Sequence, residues 1–223
     1  MTADAVVYVV DDDEGVRRSL ARLIRAVGLN VETFPSAKAF LEQPPFDGPS
    51  CLVLDLRLPG SSGLELQTAL GEAQRTMPII FITGHGDVPA SVRAMKGGAL
   101  DFLQKPFNDQ ELLDGVQRAL ARSRQARAEG AEQAVIQRCV DTLTARERQV
   151  LSLVVTGKLN KQIAIELGAA EKTIKVHRGR VMKKMQAESV ADLVRMTQKV
   201  GLASTPGGPY QTKAPSPDPG SGL

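Results

Sequence analysis

The chain has 223 residues, 42% of them hydrophobic and 24% charged, which is enough for one large domain or two ordinary ones and allows ordinary packed cores. Aromatics make up only 4%, with no Trp, and the two cysteines, Cys51 and Cys139, are too few for a disulfide scaffold and lack metal-site spacing. The net charge of +3 is unevenly spread: residues 1–121 carry −5, 122–141 carry +1, 142–202 carry +7 and 203–223 carry none, so an acidic part precedes a compact basic one suited to nucleic acid.

No apolar run reaches the ~18 residues that a membrane span needs. The N-terminus turns acidic within a dozen residues and lacks the basic flank of a signal peptide. These features predict a cytoplasmic, thiol-reduced protein.

In chain order, β-rich apolar runs at Ala5–Val10, Asn30–Phe34, Cys51–Leu54, Ile79–Ile82 and Ala99–Leu103 read as five strands. Helical spacing fills the gaps. Val16, Leu20, Leu23 and Val27 form one stripe closed by Gly28, and a short helix fits Ser36–Leu41. Leu64, Leu66 and Leu70 form the next stripe, with Gly71 as its stop. Val88, Val92 and Met95 follow, stopped by Gly97 and Gly98, and then Leu112, Leu113, Val116 and Leu120. This is a (βα)5 pattern, and apolar strands alternating with helices imply a parallel sheet covered on both faces. Residues 122–141 have good helix propensity but a thin apolar stripe interrupted by Gly130, and predict a helical linker. Residues 142–202 carry helix signals only. Residues 203–223, rich in Pro, Gly and Ser, predict a disordered tail.

Functional groups in such a sheet gather at the carboxyl ends of the strands. The first predicted strand ends in Asp11, Asp12 and Asp13, the third in Asp55, the fourth in Thr83, and Lys105-Pro106 follows the fifth. The second ends in nothing reactive, as an edge strand would. Clustered carboxylates repel one another and resist ionisation without a cation. Hard oxygen ligands without His or Cys select Mg²⁺ or a similar ion. A lysine and a threonine hydroxyl suit phosphoryl oxygens. With no Gly-rich nucleotide cradle, the remaining nucleophile is a carboxylate, which can form an aspartyl-phosphate. Asp13 reads equally well as a helix N-cap.

The stretches VVDDDEGVRRSL, LVLDLRLPGSSGLEL and IIFITGHGDVPASVRAMKGGALDFLQKPF resemble the receiver domain of bacterial two-component response regulators, a flavodoxin-like doubly wound fold, over residues 4–121. The resemblance implies that Asp55 is the phosphoacceptor. It implies Mg²⁺ held by the Asp12 and Asp55 side chains and the Arg57 carbonyl, with Asp11 helping through water. Thr83 and Lys105 would bind phosphoryl oxygens, and the Lys105–Pro106 bond is expected to be cis. It further implies a switch in which Thr83 moves toward the phosphoryl group and Phe102 rotates inward. A dimer surface then forms around Val92, Lys96 and Asp101, with Lys96 facing the partner's Asp101. Without the resemblance, Phe102 reads as core.

In the basic part, Thr144 and Glu147 form a capping box and Val150, Leu151 and Val154 continue the stripe to Gly157. Asn160 can cap the next helix, with Ile163, Ala164 and Leu167 inward. Glu171 and Thr173 begin a third helix with Ile174, Val181 and Met185 on its core face, and a fourth starts at Ser189. Opposite that core face lie Lys172, Lys175, Val176, Gly179 and Lys183, flanked by Arg178, Arg180 and Lys184. A short helix this basic suits the major groove. Residues 140–200 resemble the LuxR-type (NarL/FixJ) helix-turn-helix domain. By that resemblance Lys175 and Val176 contact bases, while Thr173, Arg178, Lys183, Asn160 and Lys161 serve phosphates. Gly179 departs from the commoner pattern, through either a lost base contact or a closer backbone approach. His177 reads as a packing or backbone-bonded residue and His85 as non-catalytic.

Together these readings predict a phosphorylation-dependent transcriptional regulator, an activator rather than an enzyme. Its expected partners are a sensor histidine kinase, double-stranded promoter DNA, RNA polymerase and a second copy of itself when phosphorylated. A Mg²⁺-dependent aspartyl phosphatase would not need the basic domain. A constitutive DNA-binding protein with an inactive receiver would lack acidic or lysine positions that are all present here. An RNA-binding or scaffold protein is the third rival, and the chain offers no stacking aromatics for RNA.

Overall fold

The structure, a computed structural model, describes residues 5–73, 75, 77–84 and 88–202. His85 and the 203–223 tail lie outside the described residues. Contacts divide the chain into two units, residues 1–129 and 130–223.

The first unit is a five-stranded parallel sheet in the order β2-β1-β3-β6-β7, built from β1 (Val6–Val10), β2 (Asn30–Phe34), β3 (Ser50–Asp55), β6 (Ile79–Thr83) and β7 (Asp101–Gln104). A short antiparallel pair, β4 (Arg57–Leu58) and β5 (Ser61–Ser62), follows β3. The predicted doubly wound fold is therefore observed, with the second strand at one edge. Alternate strand residues face opposite layers because the side-chain period of a strand is two. Val7, Val9, Cys51, Val53, Ile80 and Ile82 meet α1 (Glu14–Ala26) and the start of α5 (Asp109–Asp141). Tyr8, Val10, Leu52, Leu54 and Phe81 meet α2 (Ala37–Leu41), α3 (Gly63–Glu72) and α4 (Val88–Lys96). The Cys51 thiol, fully buried, is pushed up to about 12 by loss of solvent and is chemically quiet.

Two local expectations are corrected. First, α3 runs one residue past Gly71, to Glu72, since a glycine in the last turn costs at most about 1 kcal/mol. Second, α5 runs unbroken through Gly130: its early turns bury Leu112, Val116 and Leu120 on the sheet, and its last bury Ile136 and Val140 in the second unit's core. The α4 residues Val88, Val92 and Met95 face outward, 68%, 46% and 47% exposed, in line with the exposed position expected for Val92, while the small Ala90 and Ala94 are buried. Periodicity revealed the helix but not which face the sheet receives.

Among its described residues the second unit is all-helical: the end of α5, then α6 (Ala145–Val154), α7 (Asn160–Glu166), α8 (Glu171–Met185) and α9 (Val190–Lys199) around Val150, Ile163, Ile174, Val181, Met185 and Leu193. Gly157 and Gly168 turn the chain with positive φ, a conformation natural to glycine. The Thr144–Glu147 capping box is present, and buried Glu147 also accepts a hydrogen bond from Lys184 Nζ at 2.7 Å. That bond, with the backbone N–H of Thr144, lowers the Glu147 carboxyl from 4.5 to about 2.

A depressed carboxylate stabilises the fold fully above its unfolded value and loses that contribution as pH falls through its folded one. The second unit should therefore hold constant stability above about pH 5 and weaken between roughly pH 4.5 and 2. Glu147→Gln should flatten that decline and cost about 1–2 kcal/mol at neutral pH, as read from denaturant unfolding across the acid range.

Candidate functional site

At the carboxyl edge of the sheet, Asp11, Asp12 and Asp55 each bring a carboxylate oxygen within 4.8 Å of the others. Asp11 and Asp55 are buried and Asp12 is exposed. The central strands β1 and β3 run side by side, so residues just past their ends become neighbours. Asp13 is the N-cap of α1, accepting from the Val16 N–H at 3.0 Å, and that bond and the one from Gly15 hold its carboxyl low. Its role is therefore to start a helix, the alternative already open in the sequence.

Lys105 reaches this cluster from beyond β7, with its cis bond to Pro106. Its Nζ donates to Asp11 Oδ2 at 2.7 Å and lies 3.8 Å from Asp55 Oδ1. Burial raises the Asp55 carboxyl. Lys105 pulls it down, Asp11 pushes it up, and the backbone N–H groups of Arg57 and Leu56 favour its charged form. One ammonium thus balances two carboxylates, leaving the cluster short of positive charge. Donors that are all oxygen, with an exposed member at the mouth, fit a hard divalent cation such as Mg²⁺ and offer nothing to a soft one.

Thr83 ends β6 beside Asp55: it is buried, and its carbonyl accepts the Lys105 N–H at 2.6 Å. Phe102 lies on β7 opposite Phe81, half-buried against the cluster that holds Ala90 and Ala94. Val92 and Lys96 are exposed on α4. Asp101 Oδ2 accepts from Arg118 of the same chain at 2.6 Å, a bond with which a partner's Lys96 would have to compete.

Two residues of this site escaped the sequence reading. Arg17 donates to the carbonyls of Asp11 and Asp12 at 2.7 and 2.8 Å, pinning the acidic loop. Its position four residues after the helix cap was the available signal. Gly63 starts α3 directly beneath Asp55, and a Cβ there would sit 2.5 Å from the Asp55 carbonyl oxygen.

In the second unit, α8 buries Ile174, Val181 and Met185 and exposes Lys172, Thr173, Lys175, Val176, Gly179, Arg180 and Lys183. Lys161 is exposed at the start of α7. Asn160 is that helix's first residue rather than its cap: Leu159 occupies the cap position without a side-chain bond, and Asn160 Oδ1 accepts from Arg178 Nη1 at 3.0 Å. Lys184 leaves the exposed set, held by Glu147 and the Thr142 carbonyl. His177 is half-buried, and its Nδ1 is buried without a hydrogen-bond partner among the described residues, so packing rather than a backbone bond at that atom holds it. No described helix is long and apolar enough to cross a membrane.

Residues 7–117 match the family described as response regulator receiver domain, and residues 141–197 match bacterial regulatory proteins, luxR family. The chain is 54% identical over 200 residues to nodulation protein W of Bradyrhizobium diazoefficiens, covering 90% of this chain and 88% of that protein. It is 46% identical over 199 residues to the transcriptional regulatory protein FixJ of Rhizobium meliloti, covering 89% and 98%. Among solved structures, the response regulator StyR aligns with a TM-score of 0.76 and 47% identity over 88% of this chain and all of that one.

Proposed function

This chain belongs to the NarL/FixJ family of two-component response regulators, with a receiver and a LuxR-type DNA-binding domain, and from that premise we propose that its DNA binding is switched by a phosphoryl group on Asp55. Residues 1–121 act as the phosphoacceptor domain, 122–141 as the helical connection and 142–202 as the DNA-binding domain. The observation that carries the reading is the meeting of Asp11, Asp12, Asp55 and Lys105 at the strand ends, within the distances given above.

The donor is a phosphohistidine on a sensor kinase. An Asp55 carboxylate oxygen attacks phosphorus, the P–N bond breaks, and the electron pair returns to the imidazole. Mg²⁺ held by Asp12, Asp55 and the Arg57 carbonyl, with Asp11 behind a water, would spread the negative charge of the phosphoryl oxygens. Lys105 and the Thr83 hydroxyl take the remaining oxygens. Movement of Thr83 frees space for Phe102, and the face of α4 around Val92 and Lys96 turns into a dimer contact. Two copies then present two α8 helices to two half-sites. Lys175 and Val176 read bases, while Thr173, Arg178, Lys183, Asn160 and Lys161 hold phosphates.

The chain works in the cytoplasm as an activator that engages RNA polymerase, and the phosphoryl transfer is part of signalling rather than metabolic catalysis. Peptide mapping after treatment with acetyl phosphate and Mg²⁺ tests the assignment. The adduct is expected on Asp55, and one found on Asp12 or elsewhere would overturn it.

A further inference from the structure

The reading of α8 as the DNA-facing helix leaves Gly179 unexplained. It stands mid-helix and exposed, where glycine is the costliest residue after proline because it gives up the most backbone freedom. Within a fold, a glycine is required by a left-handed φ, by a helix end, or by a neighbour that leaves no room for a Cβ. None of these applies. Gly179 is absent from the positive-φ glycines, α8 continues to Met185, and a Cβ built on Gly179 would meet nothing within 4 Å. Gly63 shows what an internal reason looks like, with backbone 2.5 Å from where its Cβ would be. The space over Gly179 is open to something outside the chain.

Its surroundings indicate what fits there. Lys175 and Lys183 lie one turn to either side, and Val176, three residues back and 48% exposed, forms an apolar wall. A bare stretch of helix beside a valine, between two ammonium groups, is a small apolar notch inside a cationic stripe. A helix with its side chains measures about 10–12 Å across, and the major groove about 12 Å. Omitting one central side chain lets the backbone seat deeper. The apolar group that base edges display in that groove is the C5-methyl of thymine.

We infer that Gly179 and Val176 form a notch that receives a thymine methyl group, so that position 179 sets specificity by having no side chain. This rests on the DNA-binding reading above and adds the base class that the helix selects.

The test uses the full-length chain, a duplex it selects from a random-sequence pool, and one fixed salt concentration, because phosphate contacts vary with salt. Gly179→Ala should raise the melting midpoint of the DNA-binding domain by roughly 4 °C, since alanine favours the helix. It should also weaken the selected duplex about tenfold while changing random duplex less than about twofold. Replacing the contacted thymine by deoxyuridine removes only the methyl group, and should cost the wild type about tenfold and Gly179→Ala no more than about twofold.

Unchanged or tighter binding of the selected duplex by Gly179→Ala would overturn the inference, as would equal losses from deoxyuridine in both proteins. Lys175→Ala separates the two levels. If it binds the selected duplex as wild type does, the reading of α8 itself fails, and the notch with it. If it loses affinity while Gly179→Ala does not, only the notch fails.

Discussion

Asp55→Asn is expected to leave the chain folded and to abolish its uptake of a phosphoryl group from acetyl phosphate, measured as the covalent adduct on the intact protein. Asparagine keeps the size of the side chain and an oxygen to accept the N–H groups of Leu56 and Arg57 that favour the charged form of Asp55. It removes one negative charge from a place where burial and Asp11 both oppose that charge. Lys105 keeps its 2.7 Å bond to Asp11, so no buried carboxylate is orphaned. The variant should therefore melt no lower than wild type. An adduct that forms at the wild-type rate would place the nucleophile elsewhere, and a large loss of stability would mean that the Asp55 charge is structural.

The second large effect is expected from the smallest change, Gly63→Ala. The new methyl group would lie 2.5 Å from the Asp55 carbonyl oxygen, 2.9 Å from Phe81 Cε1 and 3.2 Å from Leu54 Cγ. The first of these is backbone, and the Gly63 N–H is already bonded to the Leu56 carbonyl at 3.0 Å, so neither chain segment can give way freely. Overpacking of this kind costs about 1–3 kcal/mol. It also pushes the end of β3, which carries the proposed phosphoacceptor Asp55, so phosphorylation should slow by about 10- to 100-fold beyond any loss of folded protein. Gly71→Ala is the control. That site, in the same helix, has nothing within 4 Å, and alanine there should raise stability by about 0.5–1 kcal/mol without changing the phosphorylation rate. Wild-type stability and rate in Gly63→Ala would show that the contact is absorbed by small shifts.

The alternation of strand and helix was legible because continuously apolar strands such as Val6–Val10 and Ile79–Thr83 differ in period from the helices between them. The acidic and lysine positions were legible because a parallel sheet collects them at one edge. Long-range partners were not. Arg118 closing on Asp101 and Lys184 on Glu147 join residues far apart in sequence, and charge alone marks each as a solvated side chain. The inward face of α4 was hidden because its buried residues are the small Ala90 and Ala94, while its bulky ones face out. Gly71 misled as a stop, since glycine ends a helix where the chain needs positive φ, as at Gly28, and Gly71 is not among the positive-φ glycines. Arg17 was missed because its work is done on backbone carbonyls, which no side-chain motif displays.

The claim that joins the two units is that the state of Asp55 sets how tightly α8 is presented to DNA. The direct measurement is affinity for the selected duplex at one salt concentration, with and without acetyl phosphate and Mg²⁺, for wild type and Asp55→Asn side by side. The account predicts tightening of about tenfold or more in the wild type, within the usual range of coupling between two sites, and none in the variant. An equal response in both proteins, or none in the wild type once its adduct is confirmed, would contradict it.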